Sequence, residues 1–233
     1  MAGRPRVFLN MAMTADGKIA TANRAISSFG SAQDQEHLLE LRAEADAIMA
    51  GARTIDLNPV TLGPGNERFR RLRLRRGLAE YPLRIVVSRA ATVEPTAEIF
   101  RHRFSPIILL TTGKASESRL KRLRDQVDEV CVGGEKEIDF CRVLADLHRR
   151  WEIDRLLVEG GGELNDALFR CGLVDELHLT ICPRIVGGRA APTIADGLGA
   201  GVLARATTME LTKACRLGNE LFLVFRAKRK AQG

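Results

Sequence analysis

The chain has no apolar run long enough to cross a bilayer, so no membrane-spanning helix is expected. Its N-terminal residues include Arg4 and Arg6 but lack the apolar centre and cleavage site of a signal peptide. There is no C-x-x-C. The five cysteines (Cys131, Cys141, Cys171, Cys182, Cys215) are odd in number and widely spaced, which argues against a disulfide framework and against a zinc site, and fits reduced thiols in a cytoplasmic protein. There is no H-E-x-x-H either, and the four histidines (His37, His102, His148, His178) are scattered, so no metal ligands are assigned. No repeat, low-complexity tract or linker divides the chain.

Acidic residues are missing from one place in particular. Arg68, Arg70, Arg71, Arg73, Arg75 and Arg76 lie within nine residues with no acid among them, and they account for most of the net charge of +7. A positive balance attracts anionic ligands, nucleic acid included. The run holds one aromatic, Phe69, and no nucleic-acid fold signature, so a solvated basic loop or short helix is the favoured reading. A phosphate-facing arm and a nucleic-acid contact are the alternatives.

With 233 residues and 45% hydrophobic content, the chain can bury a full core. Strands are expected at Val7–Met13, at Ala47–Met49 ending at Gly51, and at Arg84–Val87, Ile107–Leu110, Glu129–Val132, Leu156–Val158 and Glu176–Ile181. Helices are expected from the Ser31–Asp34 N-cap to about Glu44, and near Glu117–Arg124, Ile138–Arg150 and Leu164–Cys171. Residues 52–83 read as a long excursion, and Met209–Cys215 with Leu221–Arg226 as an antiparallel hairpin around Gly218-Asn219. Alternating strands and helices predict a mostly parallel sheet covered on both faces, in one domain spanning 1–233. Asp16-Gly17 reads as a turn with a capping carboxylate, Asp46 as structural, and Asp175-Glu176 as fold or interface.

The most telling stretch is Arg155–Leu164, RLLVEGGGEL. An apolar strand ends in Glu159, meets Gly160, Gly161 and Gly162, and opens into a helix. Glycines at such a turn let a ligand approach the backbone, and the free N–H groups of the helix start suit a phosphate. Neither G-x-G-x-x-G nor the P-loop lysine is present, and a tight turn without a ligand is the competing reading.

Six segments in order carry a resemblance: Asn10–Ala20 (NMAMTADGKIA), Leu41–Gly51 with Thr54, Arg84–Ser88, Val158–Leu164, Leu173–Leu177 and Pro183–Gly188. Together they resemble the riboflavin-biosynthesis pyrimidine reductases, over nearly the whole chain, in the stand-alone form without a deaminase domain. The resemblance implies a dihydrofolate-reductase-like, three-layer α/β/α fold with a mostly parallel mixed sheet, and a homodimer. It implies NADPH-dependent reduction of the ribosyl group of a 5′-phosphorylated ribosylamino-pyrimidine, either the diaminopyrimidinone or the aminouracil, to ribityl. A fold relative reducing a pterin or another carbonyl or imine, and a non-enzymatic nucleotide- or nucleic-acid-binding module, are the alternatives. The hydride comes from the cofactor, so no protein nucleophile is needed.

Carried over by position, Glu159, Ser27, Ser28 and Asn58 are the substrate candidates, with Glu159 the best candidate for orienting it. Ala12, Thr54, Ser88, Gly160, Gly161, Gly162, Glu163 and Leu164 are the cofactor candidates. Arg89 is added because a guanidinium beside Ser88 suits a 2′-phosphate. After Thr54 the chain departs from the family pattern. The segment is one residue shorter, Asn58 replaces the acid before Pro59, and no basic residue follows, so the substrate-phosphate clamp is not where the pattern puts it. The arginine run is one possible replacement.

Overall fold

The computed structural model describes residues 3–24 and 29–228. Short, uniformly apolar runs become strands buried on both faces: β2 (Ala47–Gly51), β3 (Leu83–Val87) and β4 (Ile107–Thr111), beside β1 (Arg6–Thr14), β5 (Glu129–Val132), β6 (Arg155–Val158) and β7 (Glu176–Cys182). A run of that kind can be satisfied only under helices on both sides of a parallel sheet. All seven are parallel neighbours in the order β5-β4-β3-β2-β6-β1-β7. The hairpin of β8 (Met209–Leu217) and β9 (Glu220–Ala227) continues the sheet antiparallel beyond β7.

Two apolar cores lie on opposite faces. Val7, Leu9 and Met11 of β1 join Val143, Leu144 and Leu147 of α6 (Phe140–Trp151) and Leu164 and Leu168 of α7 (Gly162–Arg170). On the other face, Phe8 of β1 and Leu157 of β6 join Leu41 of α1 (Ala32–Arg42), Ile55 of α2 (Ala52–Leu57), Ile99 and Phe100 of α4 (Glu98–Arg101), and Leu123 of α5 (Glu117–Leu123). The pleat therefore turns Phe8, Asn10 and Ala12 towards α1. Their β7 partners in register, Glu176, His178 and Thr180, turn the same way. Helices on both faces of this sheet give the dihydrofolate-reductase-like arrangement that the resemblance implied.

Local signals set the helix limits. The Ser31 hydroxyl accepts from the Asp34 N–H to start α1 (3.3 Å), and Asp139 does the same for Arg142 at α6 (3.0 Å). Such caps contribute about 1 kcal/mol each. Glu152, at a φ of 52°, closes α6 in the left-handed region. The hairpin turns at Gly218 as its sequence predicts.

The excursion over 52–83 is more ordered than its sequence suggests. It contains α2 and α3 (Glu67–Arg75), and the arginine run lies on α3. Most of its arginines are paired, and they are not aimed at one place. Arg68 pairs with Glu36, Arg70 with Glu80, Arg71 with Glu67 and Arg76 with Glu44. Arg73 is fully buried and donates to the carbonyls of Arg42, Ala45 and Ala79. Arg73 pins α3 to the end of α1, and the rest of the run lies on the helix surface, the short basic helix of the favoured reading. The three other acids behave as read. Asp46 accepts from the N–H groups of Asp154 and Arg155, Asp175 from Val7 N–H and Arg4, and Asp16 from Val186 and Gly187 N–H. The Thr14 hydroxyl and these amides hold the Asp16 carboxyl at about 2.

Candidate active site

The carboxyl ends of β1, β2 and β6 lie side by side, where an open α/β sheet offers a crevice. Gly51 at the end of β2 donates its N–H to the Gly160 carbonyl (2.9 Å), drawing the starts of α2 and α7 together. The three glycines of the turn have different reasons to be there. Gly160 has a φ of +84°, and a Cβ on it would meet Met11 Sδ at 2.8 Å. A Cβ on Gly162 would meet the Thr193 carbonyl at 2.7 Å, because residues 193–199 are strapped across the start of α7 by the Asp196 N–H to Gly162 O bond and by the Asp166 carboxylate. Gly161 is different. A Cβ there would find only Thr54 Oγ1, at an ordinary 3.5 Å. No atom of the fold fills the space beside Gly161, so bare backbone at that point is room left for something else.

What that room suits follows from the groups facing it. The Gly161 N–H makes a long bond to Thr54 Oγ1 (3.3 Å). The N–H groups of Gly162, Glu163 and Leu164 have no protein acceptor among the described residues. Unpaired amides at the start of a nine-residue helix, beside an open backbone and a threonine hydroxyl, fit a pyrophosphate. The contribution of Leu164 is its N–H alone, since its side chain belongs to the core. Glu163 makes an exposed pair with Arg53 (3.3 Å), a contact of little energy.

Glu159 faces α1, but not as a free carboxylate. Both of its oxygens are taken by Arg42, at 2.6 and 2.7 Å, in a fork with only about a tenth of either side chain exposed. A third Arg42 nitrogen donates to the Gly63 carbonyl (2.8 Å). The carboxylate that the sequence singles out is thus half of a buried ion pair, which also ties Gly63 to the end of α1. A bidentate pair leaves outward lone pairs for a ligand's hydroxyl or amino groups. Arg42 lies in the Leu41–Gly51 segment of the resemblance, but nothing in the sequence marked it as the partner of Glu159.

Other expected residues fall nearby with their own partners. Ala12 lies half-exposed on the α1 side of β1. Ser88 is buried at the end of β3, where its hydroxyl accepts from the Thr92 N–H (2.8 Å) and closes a turn. Arg89 is on the surface, paired with Glu137. Asn58 donates to the Thr54 carbonyl (2.8 Å), closing α2, so its amide serves the helix end. Ser27 and Ser28 lie outside the described residues.

Residues 5–223 match the family described as the RibD C-terminal domain. A 2,5-diamino-6-ribosylamino-4(3H)-pyrimidinone 5′-phosphate reductase of Methanothermobacter thermautotrophicus is 36% identical, over 97% of this chain and 99% of that protein. The solved structure of a pyrimidine reductase-like protein from Corynebacterium diphtheriae superposes with a TM-score of 0.79 at 24% identity, covering 97% and 93% of the two chains. The RibD of Acinetobacter baumannii superposes with a TM-score of 0.76 at 19% identity, and this chain spans 58% of its length. At those identities the two structures speak to fold alone.

Proposed function

The chain belongs to the RibD C-terminal domain family, and on that premise we propose that it is a riboflavin-pathway reductase. It converts the ribosyl group of 2,5-diamino-6-ribosylamino-4(3H)-pyrimidinone 5′-phosphate to ribityl, with NADPH as donor. The substrate reading draws on the similar protein of matching length named for that reaction. The observation that carries the cofactor reading is the turn at Gly160–Gly162, in which two glycines answer to the chain's own packing and Gly161 does not.

When bound, a reduced nicotinamide supplies hydride for C1′ of the ring-opened sugar imine. The chain's own residues bind, orient and exclude water. The amides of Gly161 to Leu164 and the Thr54 hydroxyl hold the pyrophosphate, and Ala12 leaves space for a flat ring against β1. The Glu159–Arg42 fork is rigid because both partners are buried and bidentate. It accepts hydrogen bonds from sugar hydroxyls or pyrimidine amino groups and so fixes C1′ in place. Arg89 is held only by an exposed pair, which a cofactor 2′-phosphate can replace at small cost. A cytoplasmic homodimer joined through the exposed hairpin completes the reading.

The test is NADPH oxidation with each phosphorylated precursor, the diaminopyrimidinone and the aminouracil, alongside NADH. Turnover of the diaminopyrimidinone with a kcat/KM favouring NADPH is expected. No turnover of either form would sink the reading, and equal use of NADH would remove the 2′-phosphate from it.

A further inference from the structure

Reduction of an imine adds a hydride to carbon and a proton to nitrogen, and the second must come from the protein or from water. The strongest candidate for it is a buried acid that the fold does not use. Asp34 sits in the first turn of α1, three residues after the Ser31 N-cap, and is 7% exposed. In the usual capping box the acid at that position reaches back to the N–H of the cap residue. Here that N–H donates instead to Glu220 of the hairpin (2.8 Å), which also accepts from the Ser31 hydroxyl. The structural task of Asp34 has been taken over by another carboxylate.

What remains is a set of buried polar atoms without a well-formed bond to any described residue. Among the described residues Asn10 Oδ1 has no hydrogen-bond partner, and Asp34 Oδ1 and Thr180 Oγ1 have none but each other, adjoining without a well-formed bond; all three residues are nine-tenths or more buried. Asn10 and Thr180 lie on the α1 side of adjacent strands, Thr180 directly opposite Ala12. Asn10 also follows the Leu9–Val158 pair, as Glu159 does on β6. Buried polar atoms are nearly always satisfied, so an unpartnered amide oxygen and an underbonded carboxyl–hydroxyl pair, from three elements on the α1 side of the sheet, fit a polar ligand.

We propose that Asp34 is the acid of this site, giving its proton to the substrate nitrogen, with Asn10 and Thr180 positioning that nitrogen. The hydride pair forms the new C–H bond at C1′. The C=N π pair moves to nitrogen and takes up the Asp34 proton, and water reprotonates the carboxylate before the next turnover. This rests on the reductase reading above. Several charges bear on the group. Burial raises the carboxyl from its ordinary value, the adjacent Thr180 hydroxyl lowers it, and the neighbouring Glu220 carboxylate raises it. Cys182, whose thiol burial pushes up to about 12, stays neutral beside it. The start of α1 acts in the opposite sense, favouring the anion. The net direction is upward, so the carboxyl contributes stability at low pH that is lost as pH rises through its folded value.

Asp34→Asn tests this through turnover and melting together. It should lower kcat by about a hundredfold or more and abolish the alkaline limb of the kcat–pH profile. NADPH affinity by titration should hold, and Tm should rise above wild type at neutral pH because a buried carboxyl that is costly to ionise is gone. Thr180→Val keeps the acid and removes the hydroxyl that lowers it, so the alkaline limb should move to higher pH. A lower Tm for Asp34→Asn would make Asp34 a structural cap, and an unchanged limb in either variant would place the proton source elsewhere; each overturns the proposal. Failure of the wild type to turn over either pyrimidine is visible without any variant and overturns the functional reading, and this inference with it.

Discussion

A single side chain here is best understood from what its neighbours leave undone. Glu159 and Arg42 satisfy each other, so removing one strands the other in a dry place. Glu159→Gln should cost about 3–5 kcal/mol in denaturant unfolding, as buried pairs do when broken, and lower kcat/KM for the pyrimidine. The double variant Arg42→Met/Glu159→Leu separates the two effects. Stability should largely return, since no buried charge is left unpaired, while turnover stays lost. Return of turnover with stability would show that the pair acts only as a brace. The glycine turn gives the complementary case. Gly161→Ala should weaken NADPH binding with little change in Tm, because its Cβ has room in the free protein. Gly160→Ala should destabilise by about 1–3 kcal/mol through its left-handed backbone and the approach of Met11. Equal affinity for NADPH in wild type and a folded Gly161→Ala would remove the pyrophosphate from this turn.

Among elements, α3 shows how charge misleads a reader of sequence. Six arginines in nine residues read as a solvated basic surface, yet the one at Arg73 caps the end of α1 from inside the protein. Burial lowers its guanidinium to about 10, so it remains charged at neutral pH, suited to carbonyls at a helix C-terminus. Arg73→Ala should cost on the order of 3 kcal/mol, while exposed Arg75→Ala should change stability by less than about 0.5 kcal/mol in the same urea titration. Similar losses at both positions would mean that α3 is held by its charge as a whole. The seven parallel strands and the hairpin were legible because apolar runs of strand length between turn residues have few other fates. The start of α1 was legible from its Ser31 cap. What stayed hidden had no local signature. α2 and α4 are too short for periodicity to show, the 183–208 segment is held by distant carboxylates such as Asp16 and Asp166, and the Glu159–Arg42 pair joins residues 117 apart in sequence.

For the molecule as a whole, the far edge of the sheet is the notable surface. β8 is exposed along nearly its entire length, with Leu211, Leu217 and Leu221 of the hairpin each more than 40% exposed. An open, apolar edge invites pairing and is normally blunted or covered. A homodimer through this hairpin should therefore show twice the chain mass in light scattering at micromolar concentration, and Leu221→Lys should halve it. A wild type that scatters as a monomer would refute the dimer.

The strand order also sets a sequence of events. β2, β3, β4 and β5 are each hydrogen-bonded to the next in the chain, so that half of the sheet can zip up locally. β1 must wait, because its partners β6 and β7 lie about 150 and about 170 residues further on. Closing that span is the slow and entropically costly step. The late arrival of β6 brings Glu159 and the glycine turn to the end of β2, and the arrival of β7 brings Thr180 under α1. The crevice is therefore the last part of the molecule to exist. During refolding, most of the helix and half of the sheet should be in place before any catalytic competence returns.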